Sequence, residues 1–175
     1  VDAGAITAIE GTFDEIKTLY SSTGVTGLGN EAITASDTGS IAASTITTVA
    51  AANSSGTLNV SAAGTITGTA AEIIAAFADG TVTEASNVAL TVNSGTATLT
   101  LARSLDGLTT GVVTATIADT AVSDLLGSSP LLDANSNNAF TITIGTDDAV
   151  VSAADLNAVN ELTSVAVNIS NVTDI

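Results

Sequence analysis

Along residues 64–80 the spacing of apolar positions changes once, from strand-like to helix-like. Thr65-Ile66-Thr67 alternates with a period of two, as a half-buried strand does. Gly68-Thr69 turns the chain, and Ile73, Ile74 and Phe77 then recur along one face of a helix predicted over Ala70 to Ala78. Thr69 and Glu72, three positions apart, form a capping box. The hydroxyl takes a backbone N–H of the first turn, and the carboxylate reaches back to the N–H of the cap residue. Gly80 supplies the left-handed residue that stops a helix.

Looser versions of this stretch recur along the chain. Ala5 to Ile9 predicts a strand, followed by a helix capped by Thr12 with Glu15 and carrying Phe13, Ile16, Leu19 and Tyr20. Strands are predicted around Val25 and over Ala32 to Ala35, then a helix over roughly Ala42 to Ala52. Thr57 to Val60, Thr65 to Thr67, Thr81 to Thr83 and Asn87 to Asn93 read as strands, the last alternating cleanly through Val88, Leu90 and Val92. Thr96 to Leu99 reads as strand with a single helical turn over Leu101 to Asp106, and Val112 to Ile117 as strand. A helix with Val122, Leu125 and Leu126 ends at Gly127, and a polar loop with the sole proline, Pro130, leads to the strand Phe140 to Ile144. A helix capped by Ser152 with Asp155 precedes Val165 to Ile169 and Val172 to Ile175.

Units therefore open near 11, 39, 68, 95, 119 and 147, with spacings of 28, 29, 27, 24 and 28, a repeat of about 27 residues. Each reads as helix, strand, strand. Strands in a sheet advance about 4.8 Å, whereas packed helices need about 8–10 Å. Two strands per helix would match those spacings in one sheet. The expected fold is thus α/β, a repeat solenoid of about six units over residues 1–175, with helices layered on one long sheet and right-handed crossovers. The competing geometry is a β-solenoid with short helical corners. Both termini fall in mid-repeat without a polar capping unit, which predicts a window of a longer array or a protomer that joins others end to end.

Composition sharpens this picture. Apolar residues are 45% of the 175, yet Phe, Tyr and Trp make up only 2%, so the core is built of Ala, Val, Ile and Leu. Thin, uniform side chains suit stacked layers. Lys17 and Arg103 stand against eighteen acidic residues, for a net charge of −16. That excludes nucleic acid as a partner, because phosphate neutralisation requires Lys and Arg, and disfavours anionic membranes. No apolar run reaches the length of a membrane span.

Candidate chemistry is sparse. No His or Cys is present to serve as base or nucleophile, neither Lys17 nor Arg103 sits beside a paired-carboxylate motif, and the chain reads as no enzyme. Asp133, Asn135 and Asn137 have the one-three-five spacing of a calcium loop, but glycine is lacking at six and position twelve is Ile144. They are the candidate metal ligands, with calcium the cation implied, against the reading of an ordinary polar loop; a row of Glu15, Glu72 and Asp155 could also bind cations, and no other cofactor is implied. Glu15, Glu72 and Asp155 recur at one unit position and are explained as helix caps. Asp37, Asp147 and Asp148 lie at expected turns. Asn53, Asn59, Asn168 and Asn171 stand in glycosylation-type sequons that a Ser/Thr-rich chain produces by chance. Thr-x-Thr pairs recur at 65/67, 81/83, 96/98, 114/116 and 141/143. Aligned on a flat sheet they would form a threonine ladder of the kind ice-binding solenoids present; the plainer reading is that Thr suits solvent-facing strands.

The run Gly24-Val25-Thr26-Gly27-Leu28-Gly29-Asn30-Glu31-Ala32-Ile33-Thr34-Ala35-Ser36-Asp37-Thr38 resembles the giant repetitive cell-surface proteins of marine unicellular cyanobacteria. So do Ala42-Ala43-Ser44, Ser54-Ser55-Gly56-Thr57 and Gly68-Thr69-Ala70-Ala71-Glu72, so that the likeness covers roughly residues 10–80. The resemblance implies an extracellular structural or adhesive role with no catalytic residues. Its expected form is a surface-layer or filament component that self-associates end to end or stacks on neighbouring repeats, its acidic face either keeping neighbours apart or bridged by divalent cations. The alternative is an adhesin or tail-fibre-like module that binds a glycan or another surface, ice being the remoter case.

Overall fold

The computed structural model describes residues 1–78, 80–83, 87–118, 120–127 and 137–175. In chain order the elements are β1 (Ala8–Gly11), α1 (Phe13–Ser21), β2 (Ala32–Ala35), β3 (Ser40–Ala42), α2 (Ala43–Ala52), β4 (Thr57–Asn59), β5 (Thr65–Gly68) and α3 (Ala70–Phe77). There follow β6 (Val82–Thr83), β7 (Ala89–Val92), α4 (Leu99–Asp106), β8 (Val113–Thr116), α5 (Val122–Leu125), β9 (Ala139–Thr141) and α6 (Ala153–Asn160).

Hydroxyls start the helices where the spacing predicts. Thr12 with Glu15 opens α1 and Thr69 with Glu72 opens α3, both as complete capping boxes in which the carboxylate accepts the cap N–H at 2.8 Å. Ser152 accepts from the N–H of Asp155 at the start of α6. Replacing Thr69 with Ala is expected to cost about 1 kcal/mol, read as a lower denaturation midpoint at unchanged slope.

All strand pairings are parallel, in two separate sheets ordered β1-β2-β4-β6 and β3-β5-β7-β8-β9. The α/β class is as expected, but the single long sheet is not. Successive strands such as β2 and β3 are joined by residues 36–39, too few for the crossover that parallel neighbours in one sheet require. They therefore go to different sheets, and each sheet gains one strand per helix.

Pairing partners stand 23 to 25 positions apart in sequence, as in Ala8 with Ala32, Ile66 with Leu90, Leu90 with Val113 and Thr116 with Thr141. Isolated bridges extend the same relation to Asp2 with Thr26, Thr143 with Asn168 and Val150 with Asp174, and it shortens to 20 positions at Ala97 with Ile117. The pairing interval is shorter than the 27-residue spacing of the unit starts, because helices begin at varying distances after their strands. Phe13 follows β1 almost at once, whereas Leu99 follows β7 by seven positions.

This register lines up the core. Ile9, Ile33, Leu58 and Val82 form one inward row, and Ile41, Ile66, Leu90 and Val113 another. The helices supply Ile16, Ile46, Ile73 and Leu105, each at most 1% exposed. Each such side chain contributes about 1.5–3 kcal/mol by leaving water.

Four local expectations differ from the structure, the first being the strand expected over Val172 to Ile175, which contributes only the bridge from Asp174 to Val150. Thr96 to Leu99 is not a strand: Thr98 accepts from the N–H of Leu101 and caps α4, whose Leu99, Ala102 and Leu105 are buried at helical spacing. No strand forms around Val25, where Thr26 makes only the bridge to Asp2. Val165 to Ile169 contributes only the bridge from Asn168 to Thr143. Among the described residues no helix is long and apolar enough to cross a membrane.

Candidate functional site

Of the predicted calcium loop, Asp133 and Asn135 lie outside the described residues, as does Pro130, and Asn137 is exposed. Among the described residues no group of three or more His, Cys, Asp or Glu side chains is placed to hold a metal ion. Two of the predicted turn aspartates do something more specific. Asp37 accepts the N–H of Phe13 at 2.8 Å and Asp148 that of Val122 at 2.9 Å. Each carboxylate thus satisfies the first helical N–H of a helix about two dozen residues earlier, where the helix dipole favours negative charge.

The outward side of the five-stranded sheet carries aligned small, uncharged side chains. Ala42, Thr67, Thr91, Thr114 and Ala139 stand in one row across all five strands. Ser40, Thr65 and Ala89 form a second row, and Thr116 with Thr141 a third. None of these side chains is charged, in a chain of net charge −16. Neighbours within a row about 4.8 Å apart, with the rows themselves about 6.6 Å apart along a strand, make a regular grid of methyl and hydroxyl groups. Of the five Thr-x-Thr pairs, 65/67, 114/116 and 141/143 fall along the paths of this sheet, Thr83 belongs to the other sheet, and Thr98 is spent as a cap. Within strands, Thr83, Thr114, Thr116 and Thr141 are exposed and Thr65 and Thr67 half-buried, so the plain reading of Thr as a solvent-facing strand residue holds for the first four; the alignment of the rows is an additional fact.

A buried polar lock, unanticipated from the sequence, ties three segments together. Glu31 is fully buried just before β2. Its Oε2 accepts from the Tyr20 hydroxyl at 2.6 Å, the Gly29 N–H at 2.9 Å and the Asn30 N–H at 3.1 Å. Asn53, also fully buried at the end of α2, accepts the Glu31 N–H at 3.1 Å and donates to the Glu31 carbonyl at 2.8 Å. Tyr20 donates to the Asn53 Oδ1 as well, at 2.9 Å. The Asn53 amide thereby stands in for a peptide group beside Glu31, and its burial removes it as a glycan acceptor. Asn138 plays a similar part further on, accepting the Val113 N–H at 2.8 Å and donating to Asp106. The sequence signals were faint: a lone Tyr, and an acidic residue between a glycine turn and an apolar strand.

Burial would push the Glu31 carboxyl up, but the hydrogen bonds from Tyr20, Gly29 and Asn30 outweigh it and hold the group below its ordinary 4.5. Burial, then the Glu31 hydrogen bond and charge, push the Tyr20 phenol well above its ordinary 10.0. The signs of the two linkages are opposite. The Glu31 contribution is full above 4.5 and is lost as pH falls through the lowered folded value. The Tyr20 contribution is full below 10.0 and is lost as pH rises beyond it. Melting temperature against pH should therefore form a plateau with both shoulders, and Glu31→Gln should flatten the acid one.

Between α1 and α2 runs an open groove of about 570 Å³ lined by Asp14, Lys17, Thr18, Tyr20, Thr48 and Val49. Lys17 is paired with Asp14 at 2.8 Å along α1, and the Tyr20 hydroxyl is already engaged by the lock. No family model, curated protein or solved structure matches the chain.

Proposed function

We propose that the chain is a non-enzymatic structural module: an α/β repeat solenoid that serves as part of an extracellular surface layer or filament and stacks end to end with further units. The observation that carries this reading is the parallel pairing at a nearly constant interval from Asp2 to Asp174. A chain whose strands each pair with the segment about two dozen residues on builds layers along one axis, and such growth has no intrinsic stop. The high acidic charge keeps neighbouring arrays apart or lets divalent cations bridge them. The absence of His and Cys from the sequence agrees with a role outside catalysis, as does the likeness of residues 10–80 to repetitive cyanobacterial surface proteins.

One strand per layer in each sheet advances about 4.8 Å, while helices claim about 8–10 Å. The helical side of the array is then its longer arc, and the sheets lie on the inside of the curve. Small-angle scattering from a tandem fusion of two copies tests the reading. One dimension should grow by about 30 Å, six to seven layers at the strand spacing, at unchanged cross-section. A fusion that scatters as two independent beads would refute it.

The aligned Thr, Ser and Ala rows favour a second reading, an adhesin that lies flat on an ordered surface such as a crystalline glycan, a mineral or ice. Thr91→Lys, at the centre of the grid, should reduce adsorption to the surface at least tenfold in a depletion assay while leaving the melting temperature within a few degrees. Equal adsorption by variant and parent would remove this reading.

A further inference from the structure

The groove between α1 and α2 is lined by the sole tyrosine and the sole lysine of the chain. It exists because side-chain sizes do not match across it. Tyr20 and Lys17 stand on α1, whereas α2 answers with Thr48, Val49 and Ala52, too small to fill the space between. The resulting volume of about 570 Å³ is that of a small-molecule site. The Tyr20 ring cannot swing away, because its hydroxyl is pinned to Glu31 at 2.6 Å and to Asn53 at 2.9 Å. A ring fixed beforehand spares a ligand the cost of ordering it. The polar groups around this ring are mostly acceptors. The hydroxyls of Thr18, Ser21 and Thr48 donate to the helix carbonyls of Asp14, Thr18 and Ser44, at 2.7, 3.1 and 2.7 Å. Their protons are spent, and each oxygen keeps lone pairs for a ligand. Asp14 adds a carboxylate, and Lys17, paired with it, adds its remaining ammonium N–H groups. The two charges cancel, so the groove attracts neither an anion nor a cation.

We propose that this groove binds a neutral saccharide, with one pyranose ring of a β-linked glucan-type chain stacked on Tyr20. A pyranose whose hydroxyls are all equatorial shows only C–H groups on its two faces. The negative face of an aromatic ring attracts such slightly positive groups. Around its rim the same sugar carries hydroxyl donors, which the oxygens of Thr18, Ser21, Thr48 and Asp14 accept, while Lys17 donates to a sugar oxygen. An ionised sugar would meet an opposite and a like charge together and gain nothing from them. The groove is open, so the neighbouring units of a polymer run out into solvent. This site lies on the helical side of the chain and owes nothing to the Thr and Ala rows of the five-stranded sheet. It goes beyond both readings above and holds for a layer component as for an adhesin.

Titration of the isotope-labelled chain with cellotetraose, followed by amide NMR shifts and by tyrosine emission, provides the test. Amides around Lys17, Tyr20 and Thr48 should shift saturably. The emission of Tyr20, the sole tyrosine in a chain without Trp, should change with the same midpoint. Thr48→Arg fills the groove from an exposed position and should raise the midpoint at least tenfold. The milder Thr48→Val, which lacks the acceptor oxygen, should raise it a few-fold and serves should the arginine disturb α2. Tetragalacturonate and a glucosamine tetramer, one anionic and one cationic, should each bind at least tenfold more weakly than cellotetraose. Thr91→Lys should titrate like the parent, which separates this site from the sheet surface. The proposal is overturned by the absence of a saturable shift, by shifts confined to residues outside the groove, or by unchanged Tyr20 emission. Thr48 variants that bind like the parent, a charged tetramer that binds as tightly as the neutral one, or lost binding in Thr91→Lys would overturn it equally. The tandem-fusion result is independent of all of these and judges the layered reading on its own.

Discussion

Asn53→Ala should destabilise the protein by about 3–5 kcal/mol, through two buried backbone groups left unpaired at roughly 1–3 kcal/mol each and a lost acceptor for Tyr20. The Glu31 N–H and carbonyl both depend on the Asn53 amide, at 3.1 and 2.8 Å, in a place that water does not reach. Relaxation is blocked nearby. A side chain at Gly56 would run into the Glu31 carbonyl, the Asn53 amide and the backbone of Asn30, so the chain there is already at closest approach. For a domain of this size the melting temperature should fall on the order of 10 °C. Asn53→Asp should be worse at neutral pH and recover partly in acid, because it sets a second carboxylate beside Glu31 and removes the donor to the Glu31 carbonyl. A loss of less than 1 kcal/mol in Asn53→Ala would mean that water replaces the amide and that the lock does not hold these segments together.

That lock marks a boundary of what the sequence discloses. Capping boxes are local, so Thr12 with Glu15 and Thr69 with Glu72 are legible from four residues, as is the alternation through Leu90 and Val92. The succession of helix, strand, strand also follows from local period. The destination of each strand does not: the short links that send β2 and β3 to different sheets look the same in sequence as a turn within one sheet. Thr96 to Leu99 misleads because Thr-Ala-Thr-Leu alternates like a strand, while Leu99, Ala102 and Leu105 carry a helical stripe that decides the matter. Asp37, Asp148, Asn53 and Asn138 act on backbone 22 to 26 positions away. Nothing in their own neighbourhood shows this, though a fixed pairing interval makes such partners findable once one pair is known. The candidate surface was half legible: the Thr-x-Thr pairs are plain in sequence, and their alignment into rows depends on a register that only the fold provides.

Phe140→Ala should cost about 3–5 kcal/mol, the largest effect expected of any single apolar truncation. Phe140 is fully buried in β9, and its partner in the neighbouring strand is Ala115. A core this poor in aromatics holds few side chains long enough to swing into the vacated space, so the cavity persists and carries its full cost. Phe140→Leu, which keeps most of the volume, should lose less than about 1.5 kcal/mol. The position of the damage matters as much as its size. Beyond β9 the chain is held by α6 and by the bridges Thr143 with Asn168 and Val150 with Asp174. In a layered chain, where each layer leans chiefly on its neighbours, those residues should open before the rest. Hydrogen exchange in Phe140→Ala should accelerate across β9 and residues 142–175 well before it does in β2, β4 and β5. Uniform acceleration along the whole chain would indicate one cooperative unit and would count against stacking by nearest neighbours.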